Sequence, residues 1–310
     1  MVSVRVSVGG TSRLQPLDGL QKKLSMSYAR IIVLTSLAMI AFAGNSLICR
    51  VALTHTSIDA ASFTTIRLMS GSVMLWLVVR MRTRTQGGAG SWLSAVALFA
   101  YAAGFSFAYL SLPAGTGALL LFGAVQATMI GHGVWVGERL RRMQFVGLVL
   151  ALGGLVGLLL PGLTAPPLHG SIMMLGAGIS WGVYSLRGKS SSDPVTVTAG
   201  NFLRAVPIAA ALSLFILGRA SLDHAGFWYA TASGALASGI GYAIWYTALP
   251  ALKATQAATV QLSVPVIAAL GGTMFLSEPV TPRLLLASVA ILGGIGLVIL
   301  ERTEINSRNH

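Results

Sequence analysis

Ten apolar segments of membrane-spanning length constrain the fold of this sequence more than any other feature. The hydrocarbon core of a bilayer requires about 20 apolar residues of helix, and helices satisfy their backbone polar groups internally, as lipid demands. Hydrophobic residues make up 55% of the chain and charged residues only 9%, whereas soluble domains carry about 25% charged residues. The sequence therefore predicts an all-α membrane protein with ten transmembrane helices, over 30–51, 58–80, 91–112, 114–136, 143–161, 170–187, 194–217, 226–249, 256–276 and 283–300.

Lysine and arginine are distributed unevenly over the short connections between these segments. If the N-terminus lies inside, sixteen of them fall on the inside and three at outside ends. Positive residues are retained on the cytoplasmic side, so both termini are predicted to be cytoplasmic, with polar tails over 1–29 and 301–310. The net charge of +13 then reflects orientation and not nucleic-acid binding. Ala41-Phe42-Ala43 mimics a signal-peptidase site, but the apolar run continues beyond it, so we expect no cleavage.

The first half of the chain is repeated in the second. Val125–Glu138 and Pro265–Glu278 share one pattern of small and apolar residues that ends on a glutamate. Each copy holds five segments, and an odd number forces the second copy to enter the membrane from the opposite side. We therefore predict two inverted five-helix repeats, 30–161 and 170–300, joined by a linker over 162–169, an architecture found in many secondary transporters. Further matches are Ala43-Gly44 with Trp181-Gly182, Arg67 with Arg204, Tyr109 and Pro113 with Tyr246 and Pro250, and Leu152-Gly153-Gly154 with Leu292-Gly293-Gly294.

The order of these motifs resembles the EamA-type drug/metabolite transporter superfamily over about residues 30–300. The motifs are an early Ala-Gly or Trp-Gly, an arginine in the second segment, Leu-Pro before the fourth, a glutamate closing the fourth and Gly-Gly in the fifth. Within that superfamily the chain is similar to bacterial amino acid exporters, including the aromatic amino acid exporters. One departure is Val125, which stands where the family often has the proline kept at Pro265. A kink is therefore expected in the ninth segment and not in the fourth.

Two aromatic stripes occupy equivalent positions in the two repeats. Each stripe falls on one helical face, so one interpretation is a pair of walls around a central cavity that stack on apolar substrates. The alternatives are helix packing or contact with the lipid interface, the latter especially for Trp245 and Tyr246, which lie near a segment end. The stripes are Tyr101, Phe105, Ala108 and Tyr109 in the third segment, and Ser238, Tyr242, Trp245 and Tyr246 in the eighth.

Three amide side chains, Asn45, Gln126 and Gln261, lie inside apolar segments. Lipid supplies no hydrogen-bond partner, so they either join helices or face a water-filled cavity. The resemblance implies that the first, third, fourth, sixth, eighth and ninth helices line the cavity, and all three amides lie on such helices. Trp181 and Tyr184 on the sixth helix are assigned to the cavity on the same ground.

Arg67 and Arg204 lie near the middle of the second and seventh segments. A charge at that depth is costly and by default suggests function. Since these two helices are not expected to line the cavity, we predict structural roles, with each guanidinium bonded to carbonyls of neighbouring helices. The alternative is capture of a substrate carboxylate.

Glu138 and Glu278 close the fourth and ninth segments on opposite faces. They either form gate salt bridges or simply end the helices at the interface. A carboxylate at a helix C-terminus is disfavoured by the helix dipole, so a basic neighbour is expected. The candidates are Arg141 and Arg142 for Glu138, and Arg283 for Glu278. Pro265 is the predicted hinge.

Chemistry other than transport finds little support in the sequence. No nucleotide loop, HExxH motif or catalytic triad is present, the histidines lack metal-ligand spacing, and Cys49 is the only cysteine. We therefore expect no enzyme activity, cofactor or metal. No acidic residue lies deep in a segment, which favours facilitated diffusion over proton coupling.

These observations together predict a multi-pass transporter of the bacterial inner membrane, a monomer or weak homodimer. It would export amino acids, including aromatic and other apolar ones, by alternating access through a central cavity. The alternatives are an exporter of drugs or other small metabolites such as planar cations, a phosphate-ester exchanger, and a non-transporting membrane helper subunit.

Overall fold

The computed structural model describes residues 27–82, 90–137, 142–162, 165–188, 193–252 and 254–308, and within these ranges it contains helices and no strands. Ten helical rods follow one another in the described chain, at the positions of the ten apolar segments. Short 3-10 turns, Leu217–Arg219 and Leu249–Ala251, precede and follow the eighth rod.

The rods are formed by twelve α-helices, because the eighth and ninth rods are interrupted. The eighth consists of α8, a π-helical segment over Ser233–Ile240 and α9, and the ninth consists of α10 and α11. The helices are α1 (Tyr28–His55), α2 (Ala60–Met81), α3 (Trp92–Ala108), α4 (Ala114–Trp135), α5 (Arg142–Leu159), α6 (Leu168–Gly188), α7 (Pro194–Phe215), α8 (His224–Ala232), α9 (Gly241–Ala248), α10 (Ala254–Gln261), α11 (Ser263–Leu276) and α12 (Pro282–Arg308).

Six helices in the described ranges are long and apolar enough to cross a membrane: α1, α2, α4, α5, α7 and the part of α12 up to Ile299. Helices α3 and α11 are apolar but shorter. Large apolar side chains cover the outside of the bundle, and Phe215, for example, is 92% exposed, as a lipid-facing surface requires. The fold is thus that of a multi-pass membrane protein. Fewer than the ten predicted spans are single helices long and apolar enough to cross a membrane, partly because the eighth and ninth rods are broken.

The break in the ninth rod coincides with its proline. Helix α10 ends at Gln261, and α11 begins at Ser263. Pro265 lacks an N–H, and its ring clashes with the carbonyl four residues earlier, which belongs to Gln261. Helix α4, with Val125 at the corresponding position, continues unbroken from Ala114 to Trp135. The expected difference between the fourth and ninth segments is therefore present.

Helices α2 and α7, which are counterparts in the two repeats, pack side by side in opposite directions. Near the start of α2, the Thr65 hydroxyl donates to the Ala209 carbonyl in the second half of α7 (2.9 Å). Just after the end of α2, Arg82 pairs with Asp193, which caps the start of α7 (3.0 Å). The two counterparts therefore run antiparallel.

Close contacts between small residues show the same direction for α5 and α12. A Cβ atom on Gly147 would overlap the Gly294 carbonyl, and one on Gly154 would overlap the Cβ of Ala290. Positions later in α5 thus meet positions earlier in α12. Such glycines let helix backbones approach closely in a membrane.

Several other contacts between helices occur in matching pairs. Helix α3 packs on α6 as α9 packs on α1, and α4 packs on α6 as α11 packs on α1. Likewise α3 packs on α7 as the π-helical segment packs on α2. These matched contacts agree with the two predicted inverted repeats, whose interface is formed by α3, α6, α1 and α9.

Candidate functional site

A continuous group of aromatic side chains fills the centre of the bundle, between the two halves. Neighbouring rings have centroids 4.7–6.1 Å apart, within the range of favourable aromatic pairs. Seven of the eight aromatic residues considered for the cavity in the sequence belong to it, all except Tyr246. This aromatic cluster comprises Phe42, Tyr101, Phe105, Tyr109, Trp181, Tyr184, Phe202, Tyr242 and Trp245.

Trp181 of α6 connects the members from the two repeats. Its ring stacks on Tyr184 (5.3 Å, 26°) and on Tyr242 of α9 (5.1 Å, 30°). It also contacts Tyr101 of α3, at a centroid distance of 4.8 Å. A flat apolar group of a ligand in the place of the Trp181 ring would therefore contact rings from both halves.

The two predicted aromatic walls are bridged by the ring of Trp181 instead of enclosing an open cavity. Tyr101 is 5% exposed, Tyr242 3% and Trp245 6%. The interfacial alternative for Trp245 is therefore wrong, since this ring is buried against Phe42. In this conformation the site is closed, and a ligand must separate the rings to enter.

Arg67 projects from α2 into the aromatic cluster and is only 1% exposed. It donates from Nη2 to the Tyr101 hydroxyl (3.0 Å) and from Nε to the Ser238 hydroxyl (3.3 Å). The guanidinium carbon also lies over the ring of Phe105, 4.8 Å from its centroid. The carbonyl acceptors predicted for Arg67 are therefore wrong: its partners are hydroxyl groups and rings of the site.

Arg204, the counterpart of Arg67 in the second repeat, has different surroundings. It is partly buried, and its Nη1 donates to the Gly200 carbonyl, one turn back on its own helix (3.0 Å). This carbonyl acceptor belongs to α7 itself. Only one of the two arginines therefore enters the aromatic cluster.

The three predicted amides are dispersed. Asn45 is buried, and its Oδ1 accepts from the Ser233 hydroxyl at the start of the π-helical segment (2.6 Å). Gln126 is buried within α4, and Gln261 is partly buried at the end of α10. Neither glutamine forms a hydrogen bond with the aromatic cluster in the part of the chain that the structure describes. Their assignment to the cavity stays a prediction.

Glu278 and Arg50 together tie four helices at one end of the bundle. The carboxylate of Glu278 accepts from Arg50 Nε of α1 (3.1 Å) and from the backbone N–H of Ala114 at the start of α4 (2.7 Å). Arg50 also donates from Nη1 to the carbonyls of Tyr109 (2.9 Å) and Leu110 (3.2 Å), at the end of α3. We call Arg50, Glu278 and these backbone partners the outer lock, since the orientation predicted from the positive residues places this end outside.

The basic partner expected for Glu278 was therefore wrong. Arg283 donates to the Leu160 carbonyl instead (2.8 Å), and Arg50 takes its place. Arg50 lies at the last but one position of the first apolar segment, 228 residues from Glu278, and no local sequence signal links the two. The other predicted gate residue, Glu138, lies outside the described residues, as does Arg141.

Polar side chains also join helices at the opposite end. Arg82 pairs with Asp193, and Arg187 of α6 donates from Nε to the Ser94 hydroxyl of α3 (3.1 Å). Burial acts to raise the pKa of Asp193, but hydrogen bonds from Thr196 and the charge of Arg82 outweigh it and hold the pKa below its usual range. A small cleft at this end reaches the aromatic cluster at Tyr184 and is lined by Ser94, Arg187, Thr198, Asn201 and Tyr246.

Two further members of the aromatic cluster, Phe42 and Phe202, were missed in the sequence. Phe42 contacts Tyr242 and Trp245, and Phe202 contacts Tyr242. Each lies within two residues of a repeated motif, Phe42 beside Ala43-Gly44 and Phe202 before Arg204. That proximity is the signal that would have pointed to them.

Comparisons with known proteins agree with this architecture. The EamA-like transporter family matches residues 168–300. An uncharacterized protein of Pseudomonas aeruginosa is 57% identical over 274 residues, which cover 88% of this chain and 96% of that protein. The threonine/homoserine exporter RhtA of Escherichia coli is 34% identical over 173 residues, 53% of this chain and 57% of the exporter. The match thus spans little more than half the length of RhtA.

A solved crystal structure shares the fold, with a TM-score of 0.62 over 89% of this chain and 99% of that one, at 17% identity. The repeated motifs, the helical membrane architecture and these relatives all lead to one assignment. The chain belongs to the EamA-type drug/metabolite transporter superfamily.

Proposed function

We propose that this protein exports amino acids across the bacterial inner membrane by alternating access. The observation that carries the proposal is the aromatic cluster, which is buried between two antiparallel halves and contacts both. A site so placed becomes open to one face or the other when the halves rock against each other. The proposed topology has ten spans in two inverted repeats, 30–161 and 170–300, with both termini cytoplasmic.

The outer lock and the ties at the opposite end are the contacts that such rocking must break in turn. Opening to the outside separates Arg50 on α1 from Glu278 after α11. Opening to the inside separates α3 from α6, which Arg187 and Ser94 join, and widens the cleft beside Tyr184. Both ends are closed here, so the structure corresponds to an occluded intermediate in this scheme.

The broken rods supply the points at which the halves can bend. A π-helical segment is an uncommon element that often occurs at functional sites, and the one here carries Ser233 and Ser238, which hold Asn45 and Arg67. In the ninth rod, the interruption at Leu262 frees α11 to tilt relative to α10. We propose Pro265 as the hinge residue of this movement.

The substrate class follows from the site and from one relative. Rings that stack on one another can also stack on apolar and aromatic side chains, and RhtA is named for the export of threonine and homoserine. Planar cations are a weaker candidate, because the buried positive charge of Arg67 would repel them. No acidic residue lies within the described aromatic cluster, which favours facilitated diffusion.

The experiment is counterflow in proteoliposomes. Purified protein is reconstituted into liposomes loaded with unlabelled threonine or phenylalanine, and uptake of the labelled amino acid is followed. We expect uptake by the wild type, loss of uptake in Trp181→Ala and Tyr242→Ala, and little change in Trp76→Ala, which removes a 53% exposed aromatic on the lipid-facing surface. Folded wild-type protein that shows no counterflow of any amino acid would rule out the proposed substrate class.

A further inference from the structure

The guanidinium of Arg67 carries a buried charge with no counter-charge in the described part of the chain. The ion pairs found there are Arg50 with Glu278 and Arg82 with Asp193, both at the ends of the bundle. Arg67 is 1% exposed, and its Nη1 has no hydrogen-bond partner. Its other nitrogens donate to neutral hydroxyl groups.

Such an arrangement is costly unless a ligand completes it. Leaving a buried donor unsatisfied is unfavourable, and more so for a charged group, while a charge in a low dielectric requires a partner. The contacts with the rings of Tyr101 and Phe105 compensate the charge only in part, since cation–π interactions are individually modest. The unmet requirement is for an anionic oxygen at Nη1.

The position of Arg67 makes this requirement functional. Its two hydroxyl partners, Tyr101 and Ser238, are counterparts in the two repeats, 137 residues apart in sequence. The guanidinium is therefore bonded to equivalent positions of the two predicted repeats, at the interface between the halves. A ligand bound there stays at the centre while access changes from one face to the other.

We propose that Arg67 binds the carboxylate of the transported amino acid through Nη1, with the aromatic cluster holding the substrate side chain. Arginine suits this task because it presents several donors in a fixed plane and keeps its charge. The inference rests on the proposed function and specifies its site. Because the rings fill the site in the occluded conformation, the substrate displaces ring contacts, such as those of Trp181 with Tyr101 and Tyr242, when it binds.

The test compares competitors that keep or lack the carboxylate that Arg67 would bind. Counterflow of labelled phenylalanine is measured in wild-type proteoliposomes with 3-phenylpropionate, phenylalaninamide or unlabelled phenylalanine as competitor. 3-Phenylpropionate keeps the carboxylate and lacks the amine, whereas phenylalaninamide keeps the amine and lacks the carboxylate. We expect phenylalaninamide to compete at least about 10-fold less well than phenylalanine, as the loss of a charge-assisted contact predicts. We expect 3-phenylpropionate to remain a competitor.

Two variants assign the preference to Arg67, and one serves as the control. Arg67→Gln should reduce the discrimination between phenylalanine and its amide to about threefold or less, a loss of most of the charge-assisted contact. Arg67→Lys should retain part of the discrimination because it keeps the charge. Arg204→Gln removes the counterpart arginine and should leave the discrimination unchanged. A purely structural role for Arg67 would lower transport without changing this ratio.

The wild-type comparison keeps the proposal testable even if Arg67→Gln fails to fold. Counterflow of phenylalanine that the amide inhibits as strongly as phenylalanine does would overturn the carboxylate site and leave amino acid export intact. Absence of counterflow for every amino acid would overturn the proposed function first. A chloride ion bound at Arg67 would also refute the proposal. In that case replacing chloride by gluconate would abolish transport, and phenylalaninamide would compete as well as phenylalanine.

Discussion

Removing the charge of Glu278 should open the outer end of the bundle. Glu278→Gln keeps the size of the side chain but replaces the carboxylate that joins α1, α4 and α11 by a neutral amide. The native residue Cys49 reports the result, because it is the only cysteine in the chain. It is 0% exposed and adjoins Arg50 in the sequence of α1. A thiol reagent reaches Cys49 only when the outer lock is open.

The expected magnitude follows from the contacts of the carboxylate. Two charge-assisted hydrogen bonds are weakened, one from Arg50 Nε (3.1 Å) and one from Ala114 N (2.7 Å). The paired side chains are 18% and 14% exposed, so the pair is worth more than a surface salt bridge of about 0.2–1 kcal/mol. It is worth less than a fully buried one, whose disruption costs about 3–5 kcal/mol. A loss of about 2 kcal/mol raises the open fraction about 30-fold.

The assay is the rate of Cys49 modification by a membrane-impermeant methanethiosulfonate added outside intact cells. If closing is fast relative to modification, the rate is proportional to the open fraction, so Glu278→Gln should react about 30-fold faster than wild type. Arg283→Gln is the matched control, because Arg283 lies at the same end but bonds the Leu160 carbonyl. A rate for Glu278→Gln within about threefold of both wild type and control, well short of the 30-fold expected, would refute the outer lock.

Two further predictions concern stability. Gly294→Ala should destabilise the purified protein by about 1–3 kcal/mol in thermal unfolding, because the new Cβ would overlap the Gly147 carbonyl and overpack α5 against α12. The control is Gly293→Ala, whose Cβ would meet nothing within 4 Å and should leave the stability unchanged. Equal effects of the two variants would contradict the packing. Acid should destabilise the protein through Asp59 and Asp193, whose pKa values hydrogen bonds hold below the usual range even though burial acts to raise them. This stabilisation is present above about pH 4, the ordinary pKa of aspartate, and is lost as pH falls through the lower folded value. Asp193→Asn should therefore melt lower at pH 6 and lose less between pH 6 and pH 3, and an undiminished loss would contradict the assignment.

The members of the site were more predictable from sequence than their contacts. Tyr101 and Tyr242 were found because helical spacing and the repeat select the same face twice, and both signals are local. The break before Pro265 was predictable for a similar reason, since a proline acts on the carbonyl four residues earlier. These features require no knowledge of which helices are neighbours.

Features that depend on tertiary packing escaped prediction. The pairing of Arg50 with Glu278 joins residues 228 positions apart, and nothing in the local sequence of either residue specifies it. The partners of Arg67 were predicted wrongly because α2 was expected to stay outside the cavity. The long side chain of Arg67 instead extends from α2 into the aromatic cluster. The π-helical segment Ser233–Ile240 has no sequence signal in its small residues, and it forms where α1 and α2 pack against the eighth rod.

The presence of one arginine, and not two, in the aromatic cluster would make the proposed transport cycle unequal on its two sides. An exactly duplicated chain would bring two like charges close together, whereas Arg204 here bonds back to the Gly200 carbonyl. In the proposed cycle, the inward-open and outward-open forms are therefore not related by a twofold rotation, and we expect them to bind the same substrate with different strengths. For an uncoupled carrier, microscopic reversibility requires the ratio of maximal rate to KM to be equal in both directions. The face with the weaker binding must therefore also be the face from which transport is faster at saturation.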